Sequence, residues 1–244
     1  CPMLECALVS GICSAGADVL VCDVIPTPGI AKLVRKYNAD AGVVISASHN
    51  TFEFNGIKFF NKDGFKLPDE IEDKIEFLIE NSACDDTAWP TGEDVGHRYH
   101  IKEAQTDYTE YLKESVPVNL KGMKIALDCA NGATAFIAPD MFRSLGAEVL
   151  GIGIQPDGIN INKDCGSTHL DKLSKIVIDE KCDLGIAFDG DGDRMLAIDG
   201  KGNQIDGDVI MAVIALDMKK RNVLKDDTLV VTVMSNMGLD IFAK

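Results

Sequence analysis

Apolar residues recur along this chain in two alternating rhythms, one helical and one extended. Met3, Leu4, Ala7, Leu8 and Ile12 fall at helical spacing, and Gly16 closes the pattern. Asp18–Cys22 then predicts a buried strand, and Pro28 opens a helix that runs to Tyr37. Ala41–Ser46 is a second strand. Two strands joined by a helix are expected to lie parallel, with a right-handed crossover. Ile57–Phe60 predicts a third strand, and Pro68 opens a helix whose apolar stripe is Ile71, Ile75, Leu78 and Ile79.

Residues 81–102 lose periodicity and gain Gly, Pro and Asp, which predicts a domain edge or linker. The same rhythm then resumes. Helix 104–115, strand 124–127, a helix ending near Gly146 and strand 148–152 are followed by a long loop. Helix 170–181 and strands 184–188 and 195–199 complete the second unit. From Gln204 a new start is expected, with a helix over 207–219, a strand over 228–233 and a last helix. Alternation of this kind is the signature of an α/β protein. Three units are expected: 1–102, 103–203 and 204–244.

Composition narrows the partners. The net charge is −15, from 39 acidic and 24 basic residues, which argues against nucleic acid or an anionic membrane surface. No apolar run approaches the ~20 residues that span a bilayer. The eight cysteines include no CxxC pair, and Cys22, Cys129 and Cys182 fall beside predicted strands. Reduced thiols in a cytoplasmic protein are the expectation. The N-terminus has neither a basic segment nor a starting Met, so it reads as an interrupted helix rather than a signal peptide, and suggests a fragment.

The sharpest chemistry lies in Phe188-Asp-Gly-Asp-Gly-Asp-Arg194. Three carboxylates at alternate positions repel one another unless a cation draws them together, and the glycines let the backbone turn tightly enough for them to converge. Hard oxygen ligands directly after a strand suit Mg²⁺. An EF-hand is excluded, because its sixth and twelfth positions would be Arg194 and Gly200 in place of Gly and Glu. Strand ends are also where open α/β sheets place ligands. A divalent metal site on Asp189, Asp191 and Asp193 is the expectation.

A second loop, Ser46-Ala-Ser-His-Asn50, follows the strand 41–45 and leads to Asn55-Gly-Ile-Lys58. It fits an exposed Ser48 nucleophile, with His49 and Lys58 able to supply a proton acceptor and a positive charge. Taken alone, a Ser-rich turn capping a helix is an equal reading. Neither GxSxG nor GxxxxGK[ST] is present, and Gly151-Ile-Gly153 is too short for a dinucleotide fingerprint, so no cofactor-binding residues are expected. His97 and His100 read as surface residues. His169 reads as a first-turn residue behind a Thr168 cap, and Lys219-Lys-Arg221 as a helix end.

Together, Ile45–Asn50, Asn55–Phe60 and Asp189–Arg194 resemble the phosphoserine and metal loops of the α-D-phosphohexomutases. Asp128-Cys-Ala-Asn-Gly-Ala133, Pro156-Asp-Gly-Ile-Asn-Ile-Asn162 and Cys165-Gly-Ser-Thr-His169 most resemble its bacterial members acting on glucosamine phosphates. The resemblance runs over essentially the whole chain. It implies tandem α/β/α domains with mixed sheets, the third incomplete and the fourth absent. It implies interconversion of glucosamine 6-phosphate and glucosamine 1-phosphate through a phosphorylated Ser48 and a sugar bisphosphate.

By the same resemblance Asp189, Asp191, Asp193 and phospho-Ser48 would hold Mg²⁺. His49, Lys58 and Arg194 would lie next to the transferred phosphoryl group, with Asn50 and Asn55 supporting the loop. A phosphosugar substrate, a cytoplasmic location and a homodimer follow. Thr51 departs from the family's proline, and the family's opening strand, sugar loop and fourth domain are missing. A mannose or glucose phosphate mutase, an aspartyl phosphatase, or a metal-binding module without catalysis are the rival expectations.

Overall fold

The computed structural model describes residues 2–81 and 89–242. Its first unit comprises α1 (Pro2–Ser14), β1 (Val19–Val21), α2 (Thr27–Lys36), β2 (Ala41–Ser46), β3 (Gly56–Asn61), α3 (Asp69–Glu80) and β4 (Arg98–His100). The crossover expected between β1 and β2 does not pair them. β2 instead pairs antiparallel with β3, with Ser46 opposite Gly56 and Val44 opposite Lys58. That strand follows across one loop, and closing a short loop costs less chain entropy than a longer connection. β1 pairs in parallel with β4, so part of the expected linker carries a strand of the first unit. Residues 82–88 of that linker lie outside the described residues.

Why α2 forms is legible in its sequence: Pro28 sits in the first turn, where its missing N–H has no helical partner to lose. Its buried Leu33 packs with Ile25, Ala104, Tyr108 and Ile137, joining the first unit to α4 (Ala104–Ser115) and the segment ahead of α5 (Ala138–Ser144). By contrast no residue of α3 is buried, and Ile71, Leu78 and Ile79 of its predicted stripe are exposed. Its amphipathic pattern is real, yet nothing among the described residues covers it.

The second unit is a five-stranded mixed sheet in the order β6-β5-β7-β8-β9. β5 (Lys124–Asp128), β6 (Glu148–Ile152) and β7 (Leu184–Phe188) run parallel; β8 (Met195–Asp199) pairs antiparallel with β7, and β9 (Gln204–Ile205) antiparallel with β8. Gln204 and Ile205 therefore belong to this sheet rather than opening a third unit. Side-chain alternation puts Ala126, Ala187 and Ile198 against Leu173 and Val177 of α6 (Asp171–Asp179). Ile125, Leu127 and Ile186 pack on the opposite face with Ala138 and Ala147. α6 begins at Asp171 without a side-chain cap; Thr168 Oγ1 instead meets His169 Nδ1 at 3.0 Å.

Beyond the sheet, α7 (Gly207–Lys220) starts under an Asp206 cap whose Oδ1 accepts from Val209 N at 2.9 Å. α8 (Met237–Phe242) packs against it. The strand expected over 228–233 is not formed. No strand lies alongside it among the described residues, so its backbone has no ladder to join and Val230 and Val233 stand in solvent. No helix among the described residues is long and apolar enough to cross a membrane.

Candidate active site

The loop leaving β7 brings the three carboxylates together. Asp189, Asp191 and Asp193 each offer an oxygen within 4.8 Å of the others. Asp189 and Asp191 are buried and Asp193 is exposed. Gly192 takes a left-handed φ of +69°, which an L side chain rarely adopts. Asp189 Oδ1 accepts from Arg194 N at 3.1 Å. Its Oδ2 is the one buried side-chain oxygen or nitrogen without a hydrogen-bond partner among the described residues.

A buried, unpartnered carboxylate oxygen is costly, so the acid form is favoured. Burial pushes the Asp189 carboxyl up to about 7; the Arg194 N–H opposes this, and the charges of Asp191 and Asp193 add to it. A hard divalent cation bound to these carboxylates would remove that penalty. The donor set, all carboxylate with an open oxygen, fits Mg²⁺.

Ser48 reaches this loop from the first unit. Its φ of +53° is uncommon for a serine, and its N–H donates to Ser46 Oγ at 2.9 Å. Its Oγ donates to Asp191 Oδ1 at 3.2 Å. The β2–β3 ladder sets Lys58 opposite Val44, and Lys58 Nζ lies 2.6 Å from Asp191 Oδ2 and 3.4 Å from Asp193 Oδ2. Burial alone would lower the Lys58 pKa, but the two carboxylates outweigh it and hold the ammonium charged. Burial would likewise raise Asp191, yet hydrogen bonds from Lys58, Thr27 and Ser48 take it below the usual carboxylate range.

Other expected residues sit at the rim. The His49 side chain is exposed and makes no hydrogen bond among the described residues. The Arg194 side chain is exposed, with Nε 3.7 Å from Asp193 Oδ1. Asn55 Nδ2 donates to Phe52 O at 3.0 Å, and the Asn50 carbonyl accepts from Asn162 Nδ2 at 2.7 Å. The structure thus gathers Ser48, Lys58 and the three aspartates, and leaves His49 and Arg194 open.

Two side chains given no role in the sequence enter the site. Thr27 Oγ1 donates to Asp191 Oδ2 at 2.6 Å, and Asn162 Nδ2 donates to Ser48 O at 2.8 Å as well as to Asn50 O. Asn162 lies in a motif quoted above; Thr27 had only its place before a proline as a signal.

Comparison with known proteins places the chain in a family. The family models for α/β/α domains I, II and III of phosphoglucomutase/phosphomannomutase match residues 1–84, 106–202 and 206–244. The chain belongs to the phosphoglucomutase/phosphomannomutase family. Phosphoglucosamine mutase of Acetivibrio thermocellus is 54% identical over 242 residues, 99% of this chain and 54% of that protein. The same-named protein of Clostridium beijerinckii is 57% identical over 242 residues, with the same coverage of each.

This member of the family spans about half the length of the curated relatives it matches. A solved phosphoglucomutase/phosphomannomutase family protein from Burkholderia thailandensis shares the fold, with a TM-score of 0.75 at 24% identity. That match covers 91% of this chain and 48% of the other.

Proposed function

We propose that the protein carrying this chain is a phosphoglucosamine mutase, interconverting glucosamine 6-phosphate and glucosamine 1-phosphate through phospho-Ser48 and a glucosamine bisphosphate. The contact of Ser48 Oγ with Asp191 Oδ1, beside the unpartnered Asp189 Oδ2, carries this reading. A hydroxyl stands at three converging carboxylates, one of which turns a buried oxygen toward no hydrogen-bond donor. The choice of sugar is supported by relatives of that name at 53–57% identity. Free thiols at all six described cysteines are in keeping with a cytoplasmic location.

Asp189, Asp191 and Asp193 would hold Mg²⁺ together with a phosphate oxygen on Ser48. When bound, the ion supplies positive charge for the phosphoryl oxygens. Lys58, kept as an ammonium by Asp191 and Asp193, adds a second positive charge beside Ser48. The phosphorus–oxygen bond to Ser48 Oγ breaks as one forms to the free sugar hydroxyl. His49, exposed next to Ser48, accepts the sugar hydroxyl proton and returns it to the departing Ser48 oxygen, which leaves a free serine hydroxyl. The open Arg194 guanidinium binds an oxygen of the moving phosphoryl group. In the second half the bisphosphate returns its other phosphate to Ser48.

Side-by-side assays on glucosamine, mannose and glucose 6-phosphates, with Mg²⁺ and a trace of hexose bisphosphate, test the reading. Glucosamine is expected to lead in kcat/KM, and Ser48→Ala to abolish turnover. Higher turnover of mannose would reassign the sugar; undiminished turnover in Ser48→Ala would end the mechanism.

A further inference from the structure

We propose that Thr27 is a positioning residue for the metal ligand Asp191, deciding which of its carboxylate oxygens meets the cation. The inference rests on the metal-site reading above. Thr27 opens α2 and is buried, and both its donors reach the same aspartate. Its hydroxyl donates to Asp191 Oδ2 at 2.6 Å, and its N–H donates to the Asp191 carbonyl at 2.8 Å. One residue therefore holds both the side chain and the backbone of the ligand.

The consequence follows from the count of lone pairs. Asp191 Oδ2 already accepts from Thr27 Oγ1 and from Lys58 Nζ, each at 2.6 Å, which fills its two acceptor positions. Oδ1 accepts only the longer 3.2 Å contact from Ser48 Oγ. Oδ1 is thus the oxygen with capacity left, and it is the one on the Ser48 side. Thr27 commits Asp191 to single-oxygen ligation next to the phosphoryl carrier and prevents the carboxylate from swinging to a two-oxygen grip.

Packing reinforces the clamp. A Cβ on Gly192 would stand 3.2 Å from Pro26 Cβ, so the Pro26–Thr27 segment sits directly against the aspartate loop. The N-terminus of α2 also favours a carboxylate placed there. Groups that orient a ligand from behind typically change metal affinity by about 10–100-fold when removed.

The test compares Mn²⁺ and Mg²⁺ affinity, by titration calorimetry, in the 244-residue chain and in Thr27→Val, Thr27→Ala and Thr27→Ser. Valine keeps the shape and the backbone N–H but loses the hydroxyl; serine keeps the hydroxyl. Affinity is expected to fall about tenfold in the valine and alanine variants and to stay within about twofold in serine. Melting in EDTA is recorded alongside, and if valine does not fold, alanine decides. A hydroxyl that only joins the two units would lower the melting temperature and leave affinity unchanged, which overturns the proposal. A wild-type chain that binds neither ion, or binds equally well as Asp191→Asn, overturns the metal-site reading and this proposal with it.

Discussion

Asn162, in the second unit, holds Ser48 by its main chain: its Nδ2 donates to the Ser48 carbonyl at 2.8 Å. A second bond from the same nitrogen reaches Asn50 O at 2.7 Å, so the amide brackets the left-handed serine. Asn162→Asp keeps the shape, and aspartate tolerates the residue's own φ of +57°. It places a carboxylate oxygen where a donor stood. A loss of roughly 1–3 kcal/mol in urea unfolding is expected, together with slower phosphoryl loading of Ser48. An unchanged midpoint and loading rate would mean that Asn162 holds nothing that matters.

Acidity at Asp189 would link the proposed metal binding to stability. Its carboxyl is raised from 3.8 to about 7, first by burial. A group raised on folding contributes stability below its unfolded pKa, and that contribution is lost as pH rises through the folded value. The EDTA-treated protein should therefore lose melting temperature between about pH 4 and pH 7 through this group. Mg²⁺ should raise melting more at pH 8 than at pH 5. Asp189→Asn removes the titrating group, so its EDTA profile should be flatter across that window, as scanning calorimetry would show.

Lys58 lies 2.6 Å from Asp191 and 3.4 Å from Asp193, so it would compete with a metal for the same carboxylates. Lys58→Gln should tighten Mg²⁺ binding, because a cation leaves the cage. The same change should slow phosphoryl transfer by about 10²–10³-fold, the usual effect of losing one preorganised charge stabiliser. Calorimetry and single-turnover loading of Ser48 separate the two effects.

Close approach of the two loops depends on Gly190. A Cβ there would stand 2.5 Å from Ser48 O and 2.7 Å from Asn162 Nδ2. Gly190→Ala should lower stability by about 1–3 kcal/mol, as overpacking does, and weaken Mg²⁺ binding. Gly207→Ala is the control, since nothing lies within 4 Å of its added methyl. Equal melting temperatures for the two variants would count against the close fit.

Most of the second unit was legible because its strands are short apolar runs bounded by turn residues. The strands over 148–152, 184–188 and 195–199 form where periodicity put them. The aspartate loop was equally plain, because three alternating carboxylates have few structural uses. What periodicity cannot supply is the partner of a strand. β1 with β4 and β2 with β3 were missed for that reason, as was the bare backbone over 228–233. The stripe of α3 is legible as amphipathic, but periodicity does not say whether anything covers it, and none of its residues is buried. Thr27 and Asn162 carry no motif of their own; each acquires its role only when folding brings together residues more than a hundred positions apart.

The central claim is that Ser48 carries the phosphoryl group beside the aspartate cage. Intact mass after incubation with a hexose 1,6-bisphosphate and Mg²⁺ tests it most directly, on wild type and Ser48→Ala in parallel. The account predicts an increment of one phosphate on wild type, mapped to Ser48, lost when EDTA replaces Mg²⁺ and absent from Ser48→Ala. The same increment persisting in Ser48→Ala would contradict it.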